Sequence, residues 1–253
     1  MNNSTPVRSL LVRGMLGGLG AAVPALLVAY LLGEPRVDAA IAFEESQPHS
    51  HEGGVELVSR SMQSTAGLAT GILVYGIALG GIIALAYCFA LGRIGRFGPR
   101  ATAMLVSGTG LVALYVVPFL KYPANPPAVG NPDTIGQRTT LYFLMMLLGL
   151  LLTLAALVLG RRLAPRLGNW NATVVAAAAF AVAVGLAYAF LPSFNEVPAD
   201  FSATLLWQFR LATLAVQATL WLGFGLLFGH LAERLLNPRP AAAAAPGAVA
   251  SAA

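Results

Sequence analysis

The chain has 253 residues, 57% of them hydrophobic and only 10% charged, with a mean hydropathy of +0.75. A soluble domain carries about 25% charged residues, so this composition belongs in a bilayer. The formal charge of +5 is then no sign of nucleic-acid binding, because where the charges fall matters more than their sum. One cysteine, Cys88, excludes an intrachain disulfide framework and a cysteine-rich metal site; inside its apolar run it reads as packing.

Apolar runs of the length that spans a hydrocarbon core, roughly 20 residues, recur near Leu10–Leu32, Gly67–Leu91, Thr102–Leu120, Leu141–Leu159, Val174–Leu191 and Leu205–Leu231. Backbone groups in lipid must bond internally, so each run is expected to be a helix. The predicted fold is all-α, a polytopic bundle of about six transmembrane helices. Arg8 and Arg13 ahead of the first run resemble the start of a signal peptide. The run is long enough to span and reads as a retained helix, with cleavage near Ala40 or Ala42 as the alternative. Glycines at 14, 17, 18 and 20, and at 76, 80 and 81, offer close helix packing.

Ten of the fifteen Lys and Arg residues flank alternate ends of these runs: Arg8, Arg13, Arg93, Arg96, Arg100, Arg161, Arg162, Arg166, Arg234 and Arg239. The richer side is expected to be cytoplasmic, which places both termini inside. Nine of the ten acidic residues then lie outside, with only Glu233 within, and such a face concentrates cations. Each outer loop carries acid and proline, followed by an arginine near the start of the next helix: Arg60, Arg138 and Arg210. The pattern fits duplicated hairpins or the ordinary punctuation of short loops. We divide the chain into a cytoplasmic N-terminus (1–9), a transmembrane bundle (10–235) with an external metal-capture loop (33–60), and an Ala/Pro-rich tail (236–253) of the composition that stays disordered.

The external segment I-A-F-E-E-S-Q-P-H-S-H-E-G-G-V-E-L-V-S-R, residues 41–60, holds two of the three histidines among carboxylates. In an extended stretch, residues two apart point the same way, so His49 and His51 can offer both imidazoles to one ion. Glu44, Glu45 and Glu52 stand beside them. Imidazole with carboxylate suits Co, Ni or Zn. The plain alternative is a solvated acidic loop.

These residues also carry a resemblance. G-E-P-R-V-D-A-A-I-A-F-E-E (33–45), H-S-H-E-G (49–53) and E-L-V-S-R-S-M-Q-S-T-A-G-L (56–68) resemble the CbtA family of cobalt transporter subunits of bacterial membranes. Y-P-A-N-P-P (122–127), L-P-S-F-N-E-V-P-A-D-F (191–201) and W-Q-F-R (207–210) are similar too, so that the likeness runs from about Leu10 to Leu235. The resemblance implies import of Co²⁺ for cobalamin synthesis across the bacterial inner membrane, with Ni²⁺ or Zn²⁺ as alternative cargo. It also implies a one-helix CbtB-like partner with its own histidine cluster. The family is described with fewer spans than are counted here, which bears on whether the first helix is retained. Self-association within the bilayer is a further expectation, and no permanently bound cofactor is expected.

Import also needs a path, and the spans hold almost no ionisable residue. Arg210 is the most deeply placed charge and reads as a structural clamp, with Asp200, Glu196 and Asp133 as its expected partners. Gln208 and Gln217 in the same helix, Gln63 at the start of the second, and Asn125, Asn131 and Asn195 at loop mouths are the candidate path or packing polars. His230, where the last helix meets the cytoplasm, reads as a helix-dipole partner or an exit ligand. No phosphate loop and no H-E-x-x-H occur, so no enzyme activity is expected. The alternative to a conducting transporter is an accessory subunit that captures metal for another protein, with a membrane-embedded enzyme as a more remote reading.

Overall fold

A computed structural model describes residues 4–47 and 58–237. Among them no strand occurs, and the chain is built from long helices. α1 (Ser4–Val28) runs through a π-helical turn, Ala29–Gly33, into α2 (Glu34–Glu45). A short α3 (Arg60–Met62) passes through a second π-turn, Gln63–Gly67, into α4 (Leu68–Ala90). α5 (Pro99–Gly110) continues through a third, Leu111–Val116, into α6 (Val117–Lys121). After a 3-10 turn at Pro132–Thr134 come α7 (Ile135–Phe190) and α8 (Ala203–Leu236).

Two of the π-turns are followed at once by a proline, Pro35 and Pro118. A proline has no N–H for the carbonyl four residues back, so the helix widens rather than stops. The other lies where Ser64 and Thr65 turn their hydroxyls onto the Ser61 carbonyl, at 3.3 and 2.6 Å. Such back-bonding competes with the helical ladder.

Five helical runs are long and apolar enough to cross a membrane: Val7–Glu45, Arg60–Ala90, Pro99–Lys121, Pro132–Phe190 and Ala203–Leu236. The fourth is interrupted. Gly168 has φ 76° and ψ 162°, a left-handed backbone that ends one arm and begins another. The arms, 135–167 and 169–190, fold back on each other, since a Cβ built on Gly160 would touch Ala176 at 3.4 Å. Hydropathy gave six runs where the structure has five such helices; two of the six, Leu141–Leu159 and Val174–Leu191, fall on the two arms of α7. The main departure lies at the first helix. It does not end near Leu32 but continues to Glu45, so much of the segment expected to be loop is helical.

The pairs α1–α4, α1–α8 and α5–α8 pack antiparallel, while α4 and α8 run in the same direction, with Tyr75 beside Gln217 and Tyr87 beside Phe228. Gly14 lies against Gly80 and Ala84, and Gly18 against Gly76. Gly17 meets Phe228, and Gly110 meets the Trp221 ring. The arginine-rich loops therefore gather at one end of the bundle and the acidic loops at the other. At the arginine-rich half, α1, α4, α5 and α8 enclose a core that includes Ile83, Ala84, Tyr87, Leu220, Phe224 and Phe228. The Tyr87 and Phe228 rings meet edge-on at 4.9 Å, and the half-buried Cys88 packs on this core. Met145 is fully buried where α6 and the arms of α7 meet. At the acidic end, Ala40 of α2 joins Val129, Phe201 and Leu206 in a small cap, closed by Phe43 edge-on to Phe201 at 5.0 Å. α7 turns Leu147, Leu151, Val158, Val182 and Leu186 outward, as a lipid-facing helix does.

Candidate functional site at the acidic end

Arg60, Arg138 and Arg210 each sit near the start of a helix at the acidic end, and each finds a different kind of partner. Arg60 grips two carboxylates from the turn opposite, Glu34 by a short contact and Asp38 at 2.9 Å. These lie one turn apart on α2, the i, i+4 spacing that sets both on one face. Arg138 lies 3.4 Å from Glu196 and donates to the Asn131 carbonyl at 3.3 Å. Gly130, with φ 130°, lets the loop pass its guanidinium, because a Cβ there would lie 2.9 Å from both terminal nitrogens.

Glu196 receives the Thr134 hydroxyl at 2.6 Å and the Asn131 amide at 2.8 Å. Those two bonds, and then the charge of Arg138, hold its carboxyl below the usual glutamate range against a smaller opposing effect of burial. Asp200 accepts from Gln47 at 3.1 Å. The exposed Asp133 takes its own amide hydrogen bond to Asn131 Oδ1 at 3.0 Å. Neither reaches Arg210.

Arg210 therefore corrects an expectation. Its guanidinium donates to the Ala124 carbonyl at 3.4 Å and to Asn125 Oδ1 at 3.1 Å, both neutral. These bonds tie α8 to the backbone and amide of the 122–131 loop. No acid of the expected set takes part, because Glu196 is already engaged by Arg138. Lys121 is likewise held by neutral oxygens, the Tyr188 carbonyl at 2.8 Å and the Ser193 hydroxyl at 2.6 Å.

Arg138, Arg210, Lys121 and Glu196 line a cavity of about 710 Å³, whose deeper wall includes Tyr115, Phe119 and Tyr142. A second cavity of about 470 Å³ is bordered by Glu44, Gln47 and Arg138. Below the larger one, α8 continues a polar line. Arg210, Thr213, Gln217 and Trp221 follow at three- and four-residue intervals on one face. The Tyr115 side chain lies beside that of Thr213 and the Tyr75 side chain beside that of Gln217, while Trp221 Nε1 donates to Gln217 Oε1 at 3.1 Å. Tyr142 lines the same cavity as Tyr115. Hydroxyl and amide oxygens thus lead from the mouth into the bundle.

Sequence reasoning had Gln217 and Arg210 but not the tyrosines. The spacing along α8 was available; the partners on α4, the 111–116 turn and α7 required the fold. Tyr142 lines the mouth of the cavity.

His49, His51 and Glu52 lie outside the described residues. Glu44 and Glu45 are exposed in the last turn of α2. Among the described residues no group of three His, Cys, Asp or Glu is placed to hold a metal. Gln63 is exposed and donates to the Val58 carbonyl at 2.8 Å, and Gln208 is exposed on α8. His230 Nδ1 stands 3.2 Å from Arg100 Nη2, and Arg100 pairs with Glu233 in a short contact, tying α5 to α8 at the arginine-rich end.

Long apolar helices packed antiparallel, with charge confined almost wholly to their ends, define a multi-pass helical membrane protein. A family model described as a probable cobalt transporter subunit (CbtA) matches residues 7–233, nearly the whole chain, and the protein belongs to that family. The description is of a subunit, one part of a complex. No curated protein and no solved structure matches the chain.

Proposed function

We propose that this protein admits a divalent transition metal through the bacterial inner membrane, cobalt first among the candidates, in the direction of import for cobalamin synthesis. Membership of the cobalt transporter subunit family over residues 7–233 carries the reading. The distribution of charge supports it, since nine of ten acids gather at the end expected to face outward. The segment with His49, His51 and Glu52, anchored by Glu44 and Glu45 at the end of α2, collects the ion loosely. Loose binding is required, because conduction demands that the ion leave as well as enter. The polar line of Tyr75, Tyr115, Tyr142, Thr213 and Gln217 supplies neutral oxygens that replace water around the ion. The membrane potential drives entry with about 2.3 kcal/mol per charge per 100 mV, so roughly twice that for a divalent ion. The complex partner is a one-helix CbtB-like subunit, and we assign the chain no catalytic activity and no resident cofactor.

A second reading has a specific observation behind it. The cavity at the mouth is lined by three cations and one carboxylate, an arrangement that repels a bare divalent ion. On that reading the chain is a non-conducting subunit that captures metal at its acidic surface and passes it to a partner. Purified protein alone in liposomes loaded with a metal-sensitive dye separates the two: Co²⁺ entry supports conduction, and entry only with a partner supports the accessory role. In cells under cobalt limitation, elemental analysis of metal content should fall when His49 and His51 are both replaced by alanine. Unchanged content would remove the capture role of that segment.

A further inference from the structure

The charge of the larger cavity points to a ligand other than a metal. Its ionisable lining is Lys121, Arg138, Arg210 and Glu196. The one carboxylate is engaged by Arg138, the Thr134 hydroxyl and the Asn131 amide. Arg210 and Lys121 are held only by carbonyl, amide and hydroxyl oxygens, and among the described residues neither lies in an ion pair. The Arg138 Nε is buried and makes no hydrogen bond, its carboxylate neighbour standing off at 3.4 Å. Two positive charges are thus uncompensated beside a cavity of about 710 Å³. Both residues are half-buried, and positive charge with no carboxylate partner attracts an anion into the space beside it.

We propose that this cavity is a binding site for a phosphate-type oxyanion, held by Arg210 and Lys121 with Arg138 behind them. A guanidinium presents its N–H groups in a fork that fits two oxygens of one phosphate, and an ammonium adds a point charge. Asn125, Asn195 and Thr139 add polar groups to the lining, and Phe119 and Leu120 apolar ones. The site lies where helices α6 and α8 leave the apolar layer, the depth at which the polar head groups of a bilayer lie. An anionic phospholipid head group and free phosphate share the chemistry. The inference stands apart from metal transport, since it concerns ligand binding by the resting protein.

The test uses the full chain purified in neutral detergent without added metal, with thermal unfolding followed by tryptophan fluorescence. Phosphatidylglycerol, phosphatidylcholine and sodium phosphate are titrated separately at one ionic strength. Phosphatidylglycerol should raise the midpoint while phosphatidylcholine leaves it unmoved. Arg210→Gln and Lys121→Met should each need about tenfold more anionic ligand for the same rise, the loss of one charge-assisted contact. Protection by phosphate as well as phosphatidylglycerol supports a site for the free oxyanion; protection by phosphatidylglycerol alone supports the lipid head group. Should Arg210→Gln fail to fold, Arg210→Lys, which keeps the charge, replaces it and should fall between wild type and Lys121→Met. No protection by either anion, equal protection by phosphatidylcholine, or variants that respond like wild type would overturn the proposal.

Discussion

Glu196 shows how a single side chain organises the acidic end. It joins the loop before α8 to the turn that starts α7, through Thr134, Asn131 and Arg138. Because those contacts favour the ionised form, the carboxyl titrates below its ordinary value of 4.5. A depressed acid stabilises the fold above the ordinary value, and that contribution is lost as pH falls through the depressed one. Glu196→Gln should therefore unfold at a lower temperature than wild type at neutral pH. The gap should close as the solution is acidified below 4.5, as melting curves at successive pH values would record. A gap independent of pH would assign the loss to shape rather than to charge. Arg210 gives the complementary lesson. It lies within the helical run, yet it satisfies its donors with a carbonyl and an amide, which holds the 122–131 loop over the bundle without neutralising the charge.

At the scale of elements, the contact between α1 and α4 depends on absent side chains. A Cβ on Gly18 would lie 2.0 Å from the Gly76 carbonyl oxygen, and one on Gly80 would lie 2.3 Å from that of Gly14. Backbones approach this closely only where both helices offer glycine, and without a hydrophobic drive between helices in lipid such packing is what binds them. Gly18→Ala should force α1 and α4 apart and destabilise the protein by about 1–3 kcal/mol, as overpacking does. Gly71→Ala is the control, because nothing lies within 4 Å of the position; it should leave stability unchanged or raise it slightly. Thermal unfolding in detergent reads both, and equal effects would deny the close contact. The π-turns in the first three runs serve a different end. They re-aim α2, the start of α4 and the end of α6 at the acidic end, where the loops must be gathered over the cavity.

For the whole molecule the deciding property is orientation. Antiparallel packing of successive helices sends both described ends of the chain to the arginine-rich side, and the positive-inside tendency predicts that side to be cytoplasmic. A cysteine placed at Ser46, in a background with Cys88 replaced by serine, should react with an impermeant maleimide applied to intact cells. One at Asn237 should react only after permeabilisation. The reverse pattern would turn the acidic face inward and remove the capture of external metal with it.

Much of this was legible without a fold. Length, apolarity and the spacing of charged ends determined that the chain crosses a membrane repeatedly as helices, because lipid leaves the backbone no other way to satisfy its hydrogen bonds. The small-residue stripes on the first two runs likewise announced a close contact, although which glycine met which could not be read from either stripe alone. The helical extension through Glu45 was hidden, because Glu34, Arg36 and Asp38 interrupt the apolar pattern while remaining compatible with a solvated helix. What only the tertiary structure decided was partnership. Arg210 faced three plausible acids along the chain, and the fold gave Glu196 to Arg138 instead. Tyr75, Tyr115 and Tyr142 lie far apart in sequence and stand beside Thr213 and Gln217 only once the helices are packed. Periodicity reports which face of a helix is buried; what that face meets depends on the rotation and register of its neighbours, and those are set by side-chain packing across the whole bundle.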